Sequence, residues 1–170
     1  MPFIIGVKTD NMKFFSRSKR LTIYAPISGK TIDLSEVGDE VFRQKMLGDG
    51  IAIIPSGDTI VAPVDGKIAF VMESGHAYGI VTKDGFEVLV HIGIDTVKAE
   101  GKGFDVLTKT GAIVKKGEPI AKVDRKWLLE QNYDLTAIII FPNPGPYQLK
   151  DMHVGIQSER GETIISTFAT

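Results

Sequence analysis

The sequence predicts an all-β protein, an antiparallel β-sandwich or partly closed barrel built from repeated hairpins, with one or two very short helices. Two observations lead to this fold class. Short apolar runs recur along the chain between glycine turns, whereas only two short segments have helical features. In addition, the motif Ala-Pro-x-x-Gly-Lys occurs twice, at 25–30 and 62–67, which indicates a repeated structural unit.

Length and composition set outer limits on function. The chain of 170 residues is long enough for one domain with a substantial core, and its net charge of −1 argues against nucleic acid as a partner. It has no cysteine, which excludes disulfides and cysteine-zinc sites and fits a reducing compartment. No apolar run approaches the roughly 18 residues that a membrane span needs. We therefore expect a cytoplasmic protein.

Residues 1–19 are predicted to form a flexible N-terminal extension that precedes a single domain over 20–170. Residues 12–20 combine two phenylalanines with four basic residues. Two interpretations remain open: a frayed basic terminus, and a segment that touches an anionic membrane surface. Met1 and Met12 are both candidate translation starts.

In chain order, the two copies of the repeated motif each predict a hairpin. In each copy the proline sets an extended entry, and Ser28-Gly29 or Asp65-Gly66 supplies the tight turn. A third cycle of strand, turn and strand is predicted at 111–123.

Two short helices are predicted among these strands. Asp39 is placed to cap the first, over residues 39–47, and Gly48 to end it. Asp124 is placed to cap the second, over residues 125 to about 131. The other apolar runs are predicted to be strands: 51–54, 135–141 and 163–168.

Two of the three histidines, His76 and His91, adjoin apolar runs on the two sides of a turn at 83–85. The alternation over residues 88–92 places Leu89 and His91 on one face of a strand. One interpretation is a pair of core histidines whose rings are hydrogen-bonded. The other is a pair that holds one small ligand, since opposed side chains on adjacent antiparallel strands are roughly 5 Å apart. Two histidines at the ends of one hairpin favour the ligand site.

The chemistry of an imidazole pair fits phosphoryl transfer or metal binding. Neutral imidazole can accept a phosphoryl group or a metal ion near neutral pH, and a second imidazole can donate a hydrogen bond to phosphoryl oxygens. Apolar residues around such a pair suit a macromolecular donor, because they exclude water from the transfer. The sequence contains neither the G-x-x-x-x-G-K-[ST] nor the G-x-G-x-x-G phosphate-binding motif, and no H-E-x-x-H metal motif.

Several segments carry a resemblance to a known family: 41–42, 48–55, 61–66, 76–77 and 85–97, with Gly-x-Gly-Phe at 101–104 and a turn at 114–117. The most specific is His-Ile-Gly-Ile-Asp-Thr-Val at 91–97. In these residues the sequence resembles the glucose-family enzyme IIA of the bacterial phosphoenolpyruvate-dependent sugar phosphotransferase system. The resemblance extends from residue 21 to about residue 141.

The resemblance implies a β-sandwich of the duplicated hybrid motif type that acts as a phosphohistidine carrier and needs no cofactor. His91 corresponds to the histidine that takes a phosphoryl group from phospho-HPr, as tele-phosphohistidine, and passes it to a cysteine of a permease IIB domain. His76 corresponds to the histidine that stays unmodified and donates a hydrogen bond to the phosphoryl group. Ser74 corresponds to the hydroxyl residue that orients His76. The implied activity is that of a phosphotransferase component.

The resemblance also implies a partner surface and further partners. Asp39 and Asp95 correspond to acidic positions that meet basic residues of HPr, and regulatory target proteins are possible additional partners. His153 corresponds to no functional position and is predicted to be a surface residue. The apolar part of the surface is implied to consist of Val41, Phe42, Met46, Leu47, Met72, Leu89 and Val97.

Three other classes compete with this interpretation. A biotinyl or lipoyl carrier has similar hairpins, but it needs a lysine flanked as in Met-Lys-Met or Asp-Lys-Ala, and neither tripeptide occurs. A zinc peptidase of similar hairpin architecture needs an H-x-H pair and a His-x-x-x-Asp set, which the three histidines do not supply. The third is a non-catalytic β-domain with two core histidines.

Metal binding and the sugar remain open at this point. His76 and His91 are able to take up Zn²⁺ if a partner protein offers a carboxylate. The sequence does not distinguish a free-standing protein from a domain of a fused permease, and it does not identify the sugar.

Overall fold

The structure, a computed structural model, describes residues 17–170 and confirms the all-β class. These residues form fourteen strands, two α-helices and two short 3₁₀ helices. The 3₁₀ helices are Leu34–Glu36 and Thr96–Ala99. The other elements are β1 (Arg20–Tyr24), β2 (Gly29–Ile32), α1 (Glu40–Arg43), β3 (Asp49–Pro55), β4 (Thr59–Val61), β5 (Gly66–Val71), β6 (Ala77–Val81), β7 (Glu87–Ile92), β8 (Phe104–Val106), β9 (Ile113–Val114), β10 (Pro119–Val123), α2 (Arg125–Glu130), β11 (Ala137–Phe141), β12 (Gln148–Met152), β13 (Gln157–Ser158) and β14 (Ile164–Ala169).

The two ends of the described chain lie side by side. The Ser18 hydroxyl donates to the Thr170 carbonyl (2.8 Å), and the Thr170 N–H donates to the Lys19 carbonyl (3.0 Å). The predictions for residues 1–16, including the membrane contact and a start at Met12, lie outside the described residues, and the division at residue 19 stays a prediction. Within residues 17–170, no helix is long and apolar enough to cross a membrane.

The strands form one large sheet and two small ones, and the pairing is antiparallel throughout. The large sheet has the order β13-β2-β3-β11-β7-β6-β5-β9. The small sheets have the orders β1-β14-β12 and β4-β10-β8. The main core contains fully buried side chains from all three sheets, such as Ile53 of β3, Ile60 of β4 and Ile165 of β14. The large sheet is therefore packed against both small sheets, as in a β-sandwich.

The hairpins predicted at the repeated motif are wrong. β1 pairs with β14 while β2 pairs with β3 and β13, and β4 pairs with β10 while β5 pairs with β6 and β9. Each motif instead carries the chain from a small sheet to the large one. Each copy accepts a hydrogen bond from the residue that directly precedes the other copy: the Tyr24 N–H donates to the Pro63 carbonyl (2.9 Å) and the Val61 N–H to the Pro26 carbonyl (2.8 Å).

The glycines of the motif serve close strand approach rather than a tight turn. A Cβ atom on Gly29 would lie 2.1 Å from the Ile54 carbonyl oxygen, and one on Gly66 would lie 2.5 Å from the Val81 carbonyl oxygen. Both contacts are impossible for a side chain. The predicted cycle at 111–123 also crosses between sheets, because β9 pairs with β5 whereas β10 pairs with β4 and β8.

Both helices begin where the sequence predicts. The Asp39 carboxylate accepts from the Val41 N–H (2.9 Å), and the Asp124 carboxylate accepts from the Trp127 N–H (3.0 Å). The first helix is shorter than predicted and ends at Arg43, because Lys45 adopts a left-handed conformation with a φ of 57°. The residues after it form a turn.

The central strand β11 contributes to cores on both faces of the large sheet. All five of its residues are buried, and it lies between β3 and β7. Ala137, Ile139 and Phe141 point into the main core, whereas Ile138 and Ile140 point to the other face of the sheet. On that face they belong to a second core that we call the α1 cluster: Ile32, Leu34, Val37, Phe42, Ala52, Ile138 and Ile140.

Candidate functional site

The antiparallel pair β6–β7 brings the two histidines together. His91 of β7 is paired with Ala77, the residue after His76, and the Ile92 N–H donates to the His76 carbonyl (2.7 Å). The ring centroids are 4.9 Å apart and the ring planes are inclined by 82°. One small group is therefore within reach of both imidazoles.

His76 is buried and its ring is held by one hydrogen bond. Its side chain is 5% exposed, and Ser74 Oγ is hydrogen-bonded to Nδ1. Burial lowers the pKa of His76, which favours the neutral ring at physiological pH. When the Ser74 hydroxyl donates to Nδ1, the proton of the neutral ring is on Nε2. In that tautomer Nε2 is a hydrogen-bond donor.

His91 is half-buried and is held neutral by its surroundings. Burial lowers its pKa to about 4, and the neighbouring His76 acts in the same direction. The Gly93 backbone, Asp39 and Asp95 act in the opposite direction without reversing the shift. Its Nδ1 atom is buried and has no hydrogen-bond partner of normal geometry among the described residues. The nitrogen that remains for a reaction is Nε2.

His91 opens into a shallow pocket of about 210 Å³. Phe42 of α1 forms one wall, with its ring centroid 5.0 Å from that of His91. The carboxylate of Asp39 caps α1, and Asp95 is 3.8 Å from the Lys98 ammonium. The pocket is lined by Asp39, Val41, Phe42, His91, Asp95, Thr96 and Val97.

The structure divides the proposed apolar surface into exposed and buried members. Phe42 is 6% exposed and belongs to the α1 cluster, and Leu89 packs partly against the same cluster. Phe42 therefore contributes mainly to packing beneath His91 and offers little area to a partner. The exposed members are Val41, Met46, Leu47, Met72 and Val97.

Two residues of the 91–97 segment to which the sequence analysis assigned no role shape the end of β7. Thr96 is fully buried and its hydroxyl donates to the Ile92 carbonyl. Gly93 has a φ of 79°, and a Cβ atom there would lie 2.8 Å from the Asp134 carbonyl oxygen. Both hold the turn that directly follows His91. A glycine and a threonine closely spaced after a strand histidine are the signal that could have identified them.

His153 and two clefts larger than the His91 pocket lie outside that pocket. His153 is an exposed residue whose Nδ1 is 2.9 Å from the Ile164 carbonyl, as predicted for a surface position. Clefts of about 650 Å³ next to α2 and about 540 Å³ beside β5 and β9 contain no histidine. Both are bordered by side chains of mixed charge.

Comparison with known proteins establishes the family. The family model described as phosphoenolpyruvate-dependent sugar phosphotransferase system, EIIA 1, matches residues 21–147. The chain belongs to this EIIA family. Membership confirms the resemblance and rules against the biotinyl or lipoyl carrier, the zinc peptidase and the purely structural β-domain. It assigns a general phosphotransferase role within sugar transport.

Relatives of the EIIA family include proteins of similar length. The glucose-specific EIIA component of Mycoplasma capricolum is 39% identical over 153 residues, which are 90% of this chain and 97% of that protein. The solved structure of glucose permease IIA from the same species has a TM-score of 0.83 and 38% identity, covering 88% of this chain and 96% of that one. This match confirms the β-sandwich fold.

Other relatives are much longer. The glucoside-specific EIICBA component of Staphylococcus carnosus is 44% identical over 143 residues, which are 84% of this chain and 20% of that protein. The chain thus spans about a fifth of the length of this fused relative. Such fusions support a permease and its IIB part as partners of the EIIA family.

The lowered histidine pKa values predict a loss of stability in acid. The unfolded chain takes up protons at its histidines near pH 6.5, whereas the folded chain holds the pKa of His91 at about 4. Between these values the unfolded state binds more protons, so the free energy of unfolding falls as the pH drops. Urea unfolding at several pH values measures this fall. A His91→Gln variant should show a shallower fall, and an equal slope would contradict the lowered pKa.

Proposed function

We propose that this EIIA chain is a cytoplasmic phosphohistidine carrier. It accepts a phosphoryl group from phospho-HPr on His91 and passes it to a cysteine of a permease IIB domain. The relatives are named for glucose and glucoside, so the permease imports a sugar of this type. The observation that carries the proposal is the pair of neutral imidazoles, one buried and one half-buried, with ring centroids 4.9 Å apart. Around them lies an apolar rim, which consists of the exposed residues Val41, Met46, Leu47, Met72 and Val97.

The geometry supports attack by Nε2 of His91. Its lowered pKa keeps the ring neutral at physiological pH, and when the single ring proton is on the buried Nδ1, the free lone pair is on Nε2. The phosphorus–nitrogen bond of phospho-HPr breaks as a bond forms between phosphorus and Nε2. In the second step the cysteine sulfur bonds to phosphorus, and the electron pair of the breaking bond returns to Nε2. His91 then ends as a neutral imidazole, ready for another cycle.

His76 supplies a preorganised donor for this transfer. The Ser74 hydrogen bond keeps its ring in one orientation and leaves Nε2 as the donor towards phosphoryl oxygens. Because the ring is already buried and oriented, little reorganisation is needed when charge develops on these oxygens. The exposed apolar rim excludes water once a partner is docked, which protects the phosphoryl group from hydrolysis.

The carrier activity is tested by reconstitution. The protein is incubated with phosphoenolpyruvate, enzyme I and HPr, and its phosphate is then examined for stability in acid and base. Acid-labile, base-stable phosphate on this chain is the expected result. A chain that takes up no phosphate under conditions in which HPr is phosphorylated would contradict the proposal.

The apolar rim is expected to contribute binding energy that is insensitive to salt. Val97 lines the His91 pocket and is 51% exposed. Val97→Ser should weaken binding of HPr by about 1 kcal/mol, because less apolar area is buried. Ile113→Ser is the matched control, since Ile113 is 72% exposed on β9 and lies outside this pocket. Calorimetry at two salt concentrations measures both, and equal weakening by the two variants would contradict the proposed surface.

The acidic groups are expected to act on the rate of association. Asp95→Lys reverses a charge beside the pocket and should slow binding of the basic HPr surface, most strongly at low ionic strength. Asp39→Lys is a less clean test because it also removes the cap of α1. Asp151→Lys, on the exposed β12, is the control. Stopped-flow measurements should show a salt-dependent defect for Asp95→Lys, and the same defect in the control would contradict this role.

We also propose that His76 and His91 can bind zinc together with a partner protein. Among the described residues no group of three or more His, Cys, Asp or Glu side chains could hold a metal ion. The two Nε2 atoms can supply two ligands once the ring proton of His76 is on Nδ1, where the Ser74 oxygen accepts it, and the ring proton of His91 is on its buried Nδ1. A partner carboxylate would have to complete the site. Zinc-dependent binding of such a partner, lost in His76→Ala, is the expected result, and binding indifferent to a chelator would contradict it.

A further inference from the structure

The loop between β5 and β6 carries both Ser74 and His76 and is tightly held. At its base the Met72 N–H donates to the Ala77 carbonyl (3.0 Å), and the Gly75 N–H donates to the Met72 carbonyl (2.7 Å). Gly75 has a φ of 71°, and a Cβ atom there would lie 2.8 Å from Cγ2 of Val106. The loop is therefore closed against β8 and requires glycine at its tip.

One of its constraints comes from a side chain in the core. Tyr78 is fully buried, and its hydroxyl donates to the Gly75 carbonyl (2.7 Å). This carbonyl belongs to the peptide group whose nitrogen is that of His76. Because a peptide group is planar, fixing the carbonyl also fixes the direction in which the chain enters His76. On the other side, the His76 carbonyl accepts from the Ile92 N–H.

We propose that Tyr78 is a positioning residue for phosphoryl transfer. Its hydroxyl holds the Gly75 peptide so that Ser74 Oγ stays hydrogen-bonded to Nδ1 of His76, which keeps the proton of that ring on Nε2. The inference rests on the proposed function of the histidine pair. Tyr78 acts indirectly in this proposal, because its hydroxyl contacts the Gly75 carbonyl and neither the phosphoryl group nor an imidazole ring.

The hydroxyl, rather than the ring, carries this role. Filling the core requires only an aromatic ring, whereas a buried hydroxyl costs free energy unless it is hydrogen-bonded. Burial, and to a smaller extent the charge of Asp105, raises the pKa of Tyr78 above its ordinary range. The hydroxyl therefore remains protonated and available as a donor at all pH values at which the carrier works.

The first test removes only the oxygen. In Tyr78→Phe we expect normal loading from phospho-HPr and discharge to a IIB domain slowed about three- to tenfold, the effect of one lost hydrogen bond. The ¹⁵N chemical shifts of the His76 ring should move towards a mixture of tautomers. Tyr147→Phe is the control: it also removes a buried tyrosine's hydroxyl, which donates to Asp84 (3.2 Å) in another part of the fold. It should leave both readouts unchanged.

Two further variants separate positioning from a general effect on the fold. In a His76→Ala background, Tyr78→Phe should cause no additional slowing, because Tyr78 acts through His76. Tyr78→4-aminophenylalanine keeps a donor at the same place and should restore both the ¹⁵N shifts and the discharge rate.

Wild-type shifts and discharge in Tyr78→Phe would overturn the proposal, as would equal slowing in the His76→Ala background. Failure of the carrier function itself gives a different result. It would appear as no phosphate on the unaltered chain, or as phosphate on a His91→Ala variant, whereas the His76 ring shifts are measured without any phosphoryl transfer.

Discussion

The His91→Ala variant is expected to take up no phosphate from phospho-HPr. The substitution removes the nitrogen that attacks phosphorus, and His76 does not replace it, because its Nδ1 accepts from Ser74 and its Nε2 carries the ring proton. The measurement is the amount of acid-labile phosphate bound after incubation with phosphoenolpyruvate, enzyme I and HPr. A loss of all detectable phosphate is the largest effect expected for any single substitution in this chain.

Two controls keep this result interpretable. His153→Ala removes an exposed histidine that does not line the His91 pocket, and this variant should load like the unaltered protein. His91→Gln fills more of the space beside Phe42 than alanine does, so it protects against a loss caused by poor packing. Phosphate on either His91 variant would show that another residue is the acceptor.

The second large effect is expected at His76, and in a different step. His76→Ala should still load, because the attacking nitrogen is present and phospho-HPr is a reactive donor. Discharge to a IIB domain should fall by about 10²–10³, the usual loss when one preorganised donor is removed from a site of developing charge. His76→Gln keeps an amide donor near the same place and should retain more transfer. Single-turnover kinetics of loading and discharge separate the two steps.

The roles proposed for the two histidines predict different results for loading: His91→Ala should not load, whereas His76→Ala should. If His76→Ala fails to load while His91→Ala loads, their roles are reversed. If both variants load and discharge normally, the carrier proposal falls. A variant of His76 that loses both steps equally would show that its role is structural, since its ring is buried in the fold.

Much of the local structure could be predicted from the sequence. Asp39 and Asp124 marked the starts of the helices because an aspartate at that position accepts hydrogen bonds within its own turn. The apolar run at 135–141 predicted a strand, which is the wholly buried β11. The alternation that placed Leu89 and His91 on one face matches the pattern of burial along β7. Each of these depends on interactions over a few residues.

Strand pairing could not be predicted in the same way. The motif at 25–30 and 62–67 has the composition of a hairpin turn, yet both copies cross from one sheet to another. The local residues permit either course. The choice depends on distant partners, such as β14 for β1 and β10 for β4, and on glycines that allow a neighbouring backbone to approach.

The candidate site likewise combines features that the sequence determined with features that only the tertiary structure decided. The sequence by itself determined that His76 and His91 adjoin a common turn, that Ser74 lies two residues before His76, and that the segment at 91–97 carries the family resemblance. Only the tertiary structure decided that Phe42 is buried beside His91, that Tyr78 bonds the loop of Ser74, and that the pKa of His91 is lowered. The physical reason is that burial and the free energy of charging a ring depend on residues brought together by strand pairing and by the packing of α1 on β11.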